Sequence, residues 1–99
     1  MIVIKRCESG IKITGHAEFA ERGRDVVCAG VSTLVNALIY SFQELTDDEI
    51  TVFKSSQGQI NHIKFRNLSA KGQTLIESFF VGVRMIADTF PENVRVSLE

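Results

Sequence analysis

The sequence has no excess of charge of either sign and no long stretch of purely apolar residues. Eleven Lys and Arg residues stand against twelve Asp and Glu, giving a formal net charge of -1, whereas a dedicated RNA-binding domain is normally basic. Composition therefore argues against direct nucleic-acid binding. No apolar run approaches the roughly 20 residues that cross a bilayer, and the first residues lack the charge order of a signal peptide. We therefore expect no membrane contact and a cytoplasmic location.

Cysteine and histidine are also scarce, with two of each. In the reducing cytoplasm Cys7 and Cys28 should be free thiols rather than a bridge. The four residues do not have zinc-site spacing, so we expect no metal and no other cofactor. The apolar fraction of 44% and the charged fraction of 23% are typical of a globular protein. The length predicts one domain spanning residues 1–99.

The pattern of apolar residues predicts two hairpins, two helices and a final strand. The strands are expected near residues 2–4, 11–14, 50–54, 60–66 and 94–98. The first helix begins after Asp25 and runs about four turns to Phe42; the second follows the cap residue Ser69 and stops at Pro91. The order β-β-α-β-β-α-β predicts a single-domain α+β fold, a mixed sheet with both helices packed on one face. The other sheet face is left over and is a candidate dimer interface.

One segment contains residues suited to nucleophilic catalysis. His16 ends the second strand and Cys28 lies in the first turn of the next helix, so one loop can bring the imidazole and the thiol together. The N–H groups and partial positive charge at a helix N-terminus stabilise a thiolate. His16 could hold the thiol proton and then protonate the leaving amine. The amides of Cys28 and Ala29 could bind an oxyanion, and small Ala29 and Gly30 would leave room for a substrate backbone.

Two polar residues flank this segment. Asp25 stands three residues before Cys28, where it would cap the helix and orient a partner such as His16. Its carboxylate would oppose the helix dipole by disfavouring a nearby thiolate. Ser32 lies one turn after Cys28 on the same helical face and could touch substrate or the dyad. Composition alone leaves ordinary structural roles open for these residues. Cys28 could be a core residue and His16 a surface residue. Asp25 could be a plain helix cap, and Ser32 could bond back to its own helix.

Two blocks of the sequence, residues 15–17 and residues 25–32, resemble the signature of the ribosomal-processing cysteine proteases of the Prp family. This resemblance implies a cytoplasmic, homodimeric bacterial endopeptidase. It implies that the substrate is the N-terminal extension of the large-subunit ribosomal protein L twenty-seven, cut after an aromatic residue and before a small one. Carried over residue by residue, it implies Cys28 as nucleophile and His16 as base. The supporting motif residues are then Asp25, Ser32 and Gly15.

The loop that follows the first block departs from the family pattern. Relatives often have a second small residue after that block, and here Glu18 stands there. We expect the loop 17–24 to close over substrate. Glu18, Arg22 and Arg24 would then meet the peptide.

Two other functional classes remain as alternatives. A non-enzymatic ribosome-associated binding module would use the strand face formed by His62, Lys64 and Arg66, and its affinity for RNA would fall steeply with salt. Thiol redox chemistry at Cys28 would need Cys7 as the resolving cysteine. In the protease interpretation His62 is a surface residue without a catalytic role.

Overall fold

A computed structural model describes residues 1–21 and 24–98 and arranges them as a five-stranded sheet with two helices on one face. The elements are β1 (Ile2–Cys7), β2 (Gly10–Thr14), α1 (Val26–Leu45), β3 (Glu49–Lys54), β4 (Ile60–Arg66), α2 (Ala70–Thr89) and β5 (Val94–Leu98). The predicted order of elements and the α+β class are confirmed.

Both helices begin at the predicted cap residues. The Asp25 side chain accepts hydrogen bonds at the start of α1, and the Ser69 hydroxyl accepts one from the Gly72 N–H at 3.0 Å. At 20 residues, α1 is longer than the four turns or so that we predicted; it continues past Phe42, the last apolar residue of the pattern, to Leu45. Its end is set by Thr46, whose N–H and hydroxyl both donate to the Phe42 carbonyl and satisfy an otherwise unpaired group.

The sheet has the strand order β3-β4-β2-β1-β5. The β1–β5 pair is parallel and the other three pairs are antiparallel, so the sheet is mixed as predicted. Ile4 pairs with Ile13, and Ile11 pairs with Ile63, which aligns apolar side chains on the helical side. The other side of the sheet carries no helix.

The core lies between the sheet and the two helices. Phe42 of α1 stacks on Phe65 of β4 with ring centroids 5.2 Å apart, and Phe80 of α2 is fully buried. The helices approach closely where glycine replaces a side chain: a Cβ on Gly82 would lie 3.0 Å from Leu34. These contacts fix the position of α1, and with it the position of the residues at its N-terminus.

In the part of the chain that the structure describes, one helix, α1, is long and apolar enough to cross a membrane by length and composition. The expectation that no such segment exists was therefore wrong. The chain has no charged residue between Val26 and Gln43. Val27, Val31 and Val35 of this helix are buried in the hydrophobic core, and core helices of globular domains pass the same test of length and composition.

Candidate active site

A cleft of about 530 Å³ opens where β2 ends and α1 begins. Gly15 and His16 form one wall, and Cys28, Ser32 and Asn36 of α1 form another. The third wall is the β3–β4 hairpin, which contributes Lys54, Ser55, Gly58, Gln59, Ile60 and Asn61. The structure thus brings together four of the predicted site residues, from the two sequence blocks, in one groove that is open to solvent.

Gly15 is required by the backbone at the turn out of β2. Its φ is +83°, a conformation that side chains disfavour, and a Cβ there would collide with the carbonyl oxygen of Met1. The glycine therefore lets the chain turn tightly against the first residue. That turn carries His16 to the cleft and directs Ala17 into the protein, where it is 1% exposed.

The Asp25 carboxylate joins the loop to the helix through four backbone N–H groups. Oδ1 accepts from Val27 and Cys28, both at 3.0 Å. Oδ2 accepts from Phe19 at 3.0 Å and from Ala20 at 3.3 Å. These bonds lower the pKa of Asp25 below its ordinary value of 3.8, the Cys28 N–H having the largest effect. The carboxylate is therefore ionised at neutral pH.

The expected orientation of His16 by Asp25 is not what the structure shows. The contacts of the Asp25 oxygens are with backbone amides, two in the loop and two in the helix. Asp25 acts as a cap and as an anchor for the loop, so it influences His16 only through the backbone that carries both residues.

The thiol of Cys28 receives a hydrogen bond from the backbone beside His16. The Ala17 N–H donates to Cys28 Sγ at 3.4 Å, while the Ala17 carbonyl accepts from the Asn93 side chain at 2.8 Å. Asn93 thereby holds the peptide unit after Ala17 from the far side. Among the described residues, the thiol has no hydrogen bond from the His16 ring, although both residues line the same cleft.

The amides predicted to bind an oxyanion are already in use. The Cys28 N–H donates to the Asp25 carboxylate, and the Ala29 N–H donates to the Asp25 carbonyl at 3.0 Å. That prediction was therefore wrong, because helix capping uses both donors. The N–H group that faces the sulfur belongs to Ala17.

The remaining predicted residues of α1 divide between the cleft and the surface. Ser32 lines the cleft, as expected for a residue one turn after Cys28. Ala29 is exposed but is not among the cleft-lining residues. Gly30 faces α2, where a Cβ would lie 3.4 Å from Ile86. Its small size therefore serves helix packing and not the substrate, contrary to expectation.

The first half of the loop is held by several contacts. The Phe19 ring packs edge-on against Phe90 at 5.0 Å between centroids, and Glu18 adopts a positive φ of 56° with its carboxylate 4.0 Å from the N-terminal amine. The Arg24 N–H donates to the Glu21 carbonyl. Arg22 and Gly23 lie outside the described residues, so the predicted contact of Arg22 with substrate stays a prediction.

The redox alternative is opposed by the position of the two thiols. Both cysteines are free. Cys7 pairs with Gly10 at one end of the β1–β2 hairpin, and Cys28 contacts Ala17 beyond the other end. Strand β2 separates them by about 13 Å on the usual rise per residue, well beyond disulfide reach. Within residues 1–21 and 24–98 no cluster of His, Cys, Asp and Glu would hold a metal ion.

Sequence reasoning missed the hairpin wall of the cleft. Lys54, Gln59 and Asn61 line it, yet their local sequence has no pattern that separates them from ordinary turn residues. Their position follows from the pairing of β4 with β2. Asn36 had a detectable signal, because it lies one helical turn after Ser32 and two after Cys28.

Comparison with known proteins identifies the family. The model of the family described as Cysteine protease Prp matches residues 2–95. The ribosomal processing cysteine protease Prp of Bacillus subtilis (strain 168) is 32% identical over 91 residues, which cover 87% of this chain and 81% of that protein. The protein of the same name from Staphylococcus aureus (strain Mu50) is 26% identical over 84 residues, 84% of this chain and 79% of that protein.

Solved structures have the same fold. The essential ribosomal processing protease Prp of S. aureus in complex with a covalently linked product peptide aligns with a TM-score of 0.89 at 22% identity, covering 99% of this chain and 97% of that chain. The complex of the S. aureus protease with a substrate peptide aligns with a TM-score of 0.82 over the same shares. SMU.848 from Streptococcus mutans aligns with a TM-score of 0.78 at 28% identity, covering 98% and 90% of the two chains.

The family match covers both sequence blocks and nearly the whole fold, and it decides between the enzyme and the non-enzymatic module. Residues 15–17 and 25–32 lie inside the matched region. The cleft that these blocks form contains a free thiol at a helix start, which is the chemical group such an enzyme needs. The chain belongs to the Prp family and is a cysteine protease.

Proposed function

We propose that this enzyme removes the N-terminal extension of the large-subunit ribosomal protein L twenty-seven in the cytoplasm, cutting after an aromatic residue, with Cys28 as nucleophile and His16 as base. The observation that carries the proposal is that His16 and Cys28 line one open cleft in a chain matched by the family over residues 2–95. The ribosomal role is supported by the names of the relatives.

The first half of the proposed reaction forms a thioester. His16 takes the proton from the Cys28 thiol, and the sulfur attacks the scissile carbonyl carbon to give a tetrahedral intermediate. The imidazolium then gives that proton to the leaving amine, and the carbon–nitrogen bond breaks. In the second half a water molecule, deprotonated by His16, attacks the thioester and releases the acid product with the free thiol.

We infer that the Ala17 N–H stabilises the oxyanion of this intermediate. In the resting enzyme the amide donates to Cys28 Sγ at 3.4 Å. When the sulfur bonds to the carbonyl carbon, only that carbon separates the sulfur from the oxyanion, so the oxyanion comes within reach of the same donor. Electrostatic preorganisation by donors of this kind accounts for much of the rate enhancement of many enzymes. Asn93 holds the following peptide unit through the Ala17 carbonyl, and so restrains Ala17 from the side opposite to this N–H.

Formation of the proposed dyad requires the His16 ring to move into hydrogen-bond contact with the Cys28 thiol. Its side chain is exposed at the rim of the cleft, so ring rotation is not restricted by packing. Catalytic hydrogen bonds are often long or absent before substrate binds and tighten in the complex. A bound peptide would exclude water between the imidazole and the thiol, which strengthens their interaction.

The cleft suits an extended peptide better than a small molecule. It is an open groove with polar side chains on the hairpin wall, including Lys54, Gln59 and Asn61. Amide and ammonium groups of this kind can bond the main chain of a peptide irrespective of its sequence. On the facing wall, Ser32 and Asn36 present similar groups from α1.

We also propose that the enzyme forms a homodimer through the outer surface of its helices. Tyr40, Val81 and Met85 expose 63%, 52% and 65% of their surface there, and no charged residue lies between Val26 and Gln43 of α1. Association of two copies would remove this apolar surface from water. The other sheet face, our first candidate for the interface, is a poorer one because its cations would meet those of the partner.

The test of the proposed cleavage is a mass measurement after mixing the enzyme with the extended N-terminal peptide of its own organism's ribosomal protein. We expect one cut, after the aromatic residue. Cys28→Ala and His16→Ala should abolish the cut, whereas Cys7→Ala, the matched change of the other cysteine, should keep it. Cleavage that survives Cys28→Ala would overturn the proposal. Equal loss in the Cys7→Ala control would show that the assay reports folding and not the nucleophile.

A further inference from the structure

On the sheet face that carries no helix, a continuous row of side chains crosses all five strands; all but the last, a phenylalanine, are polar. Side chains alternate between faces along each strand, so partners of one register point to one side. Ser97, Lys5, Lys12, His62 and Phe53 are successive register partners from β5 to β3. With neighbouring strands about 4.8 Å apart, the row extends about 19 Å.

This face concentrates the positive charge of the chain. Within residues 1–21 and 24–98, the face carries five Lys and Arg residues but a single Asp or Glu residue. The cations are Lys5, Lys12, Lys64, Arg66 and Arg95, and all five are exposed. The single carboxylate, Glu49, pairs with Arg66 at 4.0 Å. The balanced charge of the whole chain, from which we expected no nucleic-acid binding, conceals this separation.

Two cations of the face stand directly opposite each other. Lys5 of β1 is the register partner of Lys12 of β2. Like charges in this arrangement repel and destabilise a sheet. Among the described residues of the face, only Glu49 is acidic, and it lies at the far end of β3, beside Arg66. The row therefore has an unsatisfied positive potential that a bound polyanion would neutralise.

An aromatic pair lies at one end of the row. Phe53 is 43% exposed on β3, and its ring lies 5.5 Å from the His62 ring with an angle of 32° between the planes. The Lys64 ammonium is 5.7 Å from the Phe53 centroid. An exposed aromatic ring beside flexible cations on an open sheet can stack a nucleic-acid base while the cations bind its phosphates.

We propose that this face, which we call the basic sheet face, binds single-stranded RNA, with Phe53 stacking on a base and Lys5, Lys12 and Lys64 contacting phosphates. Stacking distinguishes RNA from an acidic protein segment, which would use the cations but not the ring. The exposed Phe53 ring favours a splayed single strand over a duplex, whose bases are not available for stacking.

The titration of His62 agrees with this assignment. Its pKa is lowered below the ordinary value of 6.5, first by burial and then by the charges of Lys12 and Lys64. These cations face His62 from the neighbouring strand β2 and from its own strand, and Phe53 faces it from β3. Phosphates bound at the lysines would screen this repulsion, and the pKa of His62 would rise on binding.

The proposal does not depend on the proposed cleavage reaction. The cleft is lined by α1, by the turn out of β2 and by the β3–β4 hairpin. Lys5, Lys12 and Lys64 lie on the sheet face without helices and are not among the cleft-lining residues. Loss of RNA binding with normal peptide cleavage, or the reverse, therefore separates a failure of this inference from a failure of the proposed function.

The test is fluorescence anisotropy of a labelled 12-nucleotide oligouridylate titrated with the enzyme at several salt concentrations. With three or four phosphate contacts, affinity should fall roughly 20- to 50-fold between 50 and 200 mM salt. Phe53→Ala should weaken binding about five-fold or more through lost stacking. Lys12→Glu with Lys64→Glu should weaken binding at least about ten-fold. The milder Lys12→Gln with Lys64→Gln should reduce the slope of log affinity against log salt concentration by about the amount expected for two phosphate contacts.

The matched control is Lys71→Glu with Arg84→Glu, the same change of charge on exposed positions of α2. It should alter affinity by no more than about two-fold, apart from long-range charge effects. Each variant is checked for an unchanged thermal midpoint. Absence of binding at 50 mM salt, equal loss in the control, or an unchanged affinity in Phe53→Ala would overturn the proposal. Equal binding of polyglutamate would overturn it as well, because the face would then be a general anion site.

Discussion

The N–H of Ala17 lies 3.4 Å from the sulfur of Cys28 and donates a hydrogen bond to it. Ala17 comes directly after His16, so one peptide unit connects the base of the proposed dyad to the environment of the nucleophile. The position of that unit is set from two directions. Asn93 donates to the Ala17 carbonyl, which belongs to the next peptide unit, and the Asp25 carboxylate accepts from the N–H groups of Phe19 and Ala20.

Removing the Asn93 side chain should slow catalysis more than it destabilises the fold. Asn93→Ala loses one hydrogen bond, which costs about 1 kcal/mol in the free energy of unfolding. Ala17 is then no longer held through its carbonyl and can shift its N–H away from the sulfur, and we expect kcat to fall about ten-fold with KM little changed. Peptide cleavage kinetics and urea denaturation measure the two effects. The control is Glu92→Gln, an exposed change at the preceding residue, and a KM effect alone would contradict the prediction.

Substitutions of Asp25 should separate its two functions. In Asp25→Asn one oxygen can still accept from Val27 and Cys28, but the amide nitrogen cannot accept from Phe19 and Ala20. Asp25→Ala loses all four bonds. We expect Asp25→Ala to lower the free energy of unfolding, Asp25→Asn to lower it less, and both to reduce kcat/KM. Full activity of Asp25→Asn would show that the loop is held well enough without the carboxylate.

The contribution of Asp25 to stability should depend on pH. Its folded pKa lies below the ordinary value of 3.8 because backbone N–H groups, first that of Cys28, bond the ionised form. A depressed pKa means that the stabilisation is complete above the unfolded value and is lost as the pH falls through the folded value. The difference in unfolding free energy between the wild type and Asp25→Asn should therefore shrink below about pH 4. A constant difference down to pH 2 would argue against the assigned cause.

Two glycines with positive φ should respond differently to alanine. Gly15 has φ +83° and Gly58 has φ +82°, so both substitutions incur the same backbone strain of about 1–2 kcal/mol. A Cβ at Gly58 meets no atom within 4 Å, whereas at Gly15 it collides with the Met1 carbonyl. Gly15→Ala should therefore cost a further 1–3 kcal/mol, roughly, as an overpacked site does. Thermal denaturation compares the two variants, and equal costs would mean that the chain near Met1 gives way freely.

The sequence predicted the elements well because each has a local signal. The caps at Asp25 and Ser69, the stop at Pro91 and the period of each strand are properties of a few neighbouring residues. The oxyanion prediction failed for a local reason too: Asp25 caps the helix so completely that the amides of Cys28 and Ala29 are no longer free. A capping residue recognised from the sequence should have removed those amides from the candidates.

The rest of the site could not be predicted because it depends on distant pairings. The hairpin wall faces Cys28 only because β4 pairs with β2, which no local pattern specifies. The Asn93 contact joins residues 76 positions apart. The basic sheet face could not be predicted for the same reason. The total charge of the chain is balanced, and only the register of the five strands shows which charged side chains share a face.

The contact between Asn93 and Ala17 couples the site to the closing of the sheet. Asn93 lies directly before β5, and β5 pairs in parallel with β1. Pairing of strands that are far apart in the sequence is slow, because a long loop must close before the contacts form. Ala17 is held through its carbonyl only once this pair has formed, so the surroundings of the thiol are completed by one of the slower steps of folding.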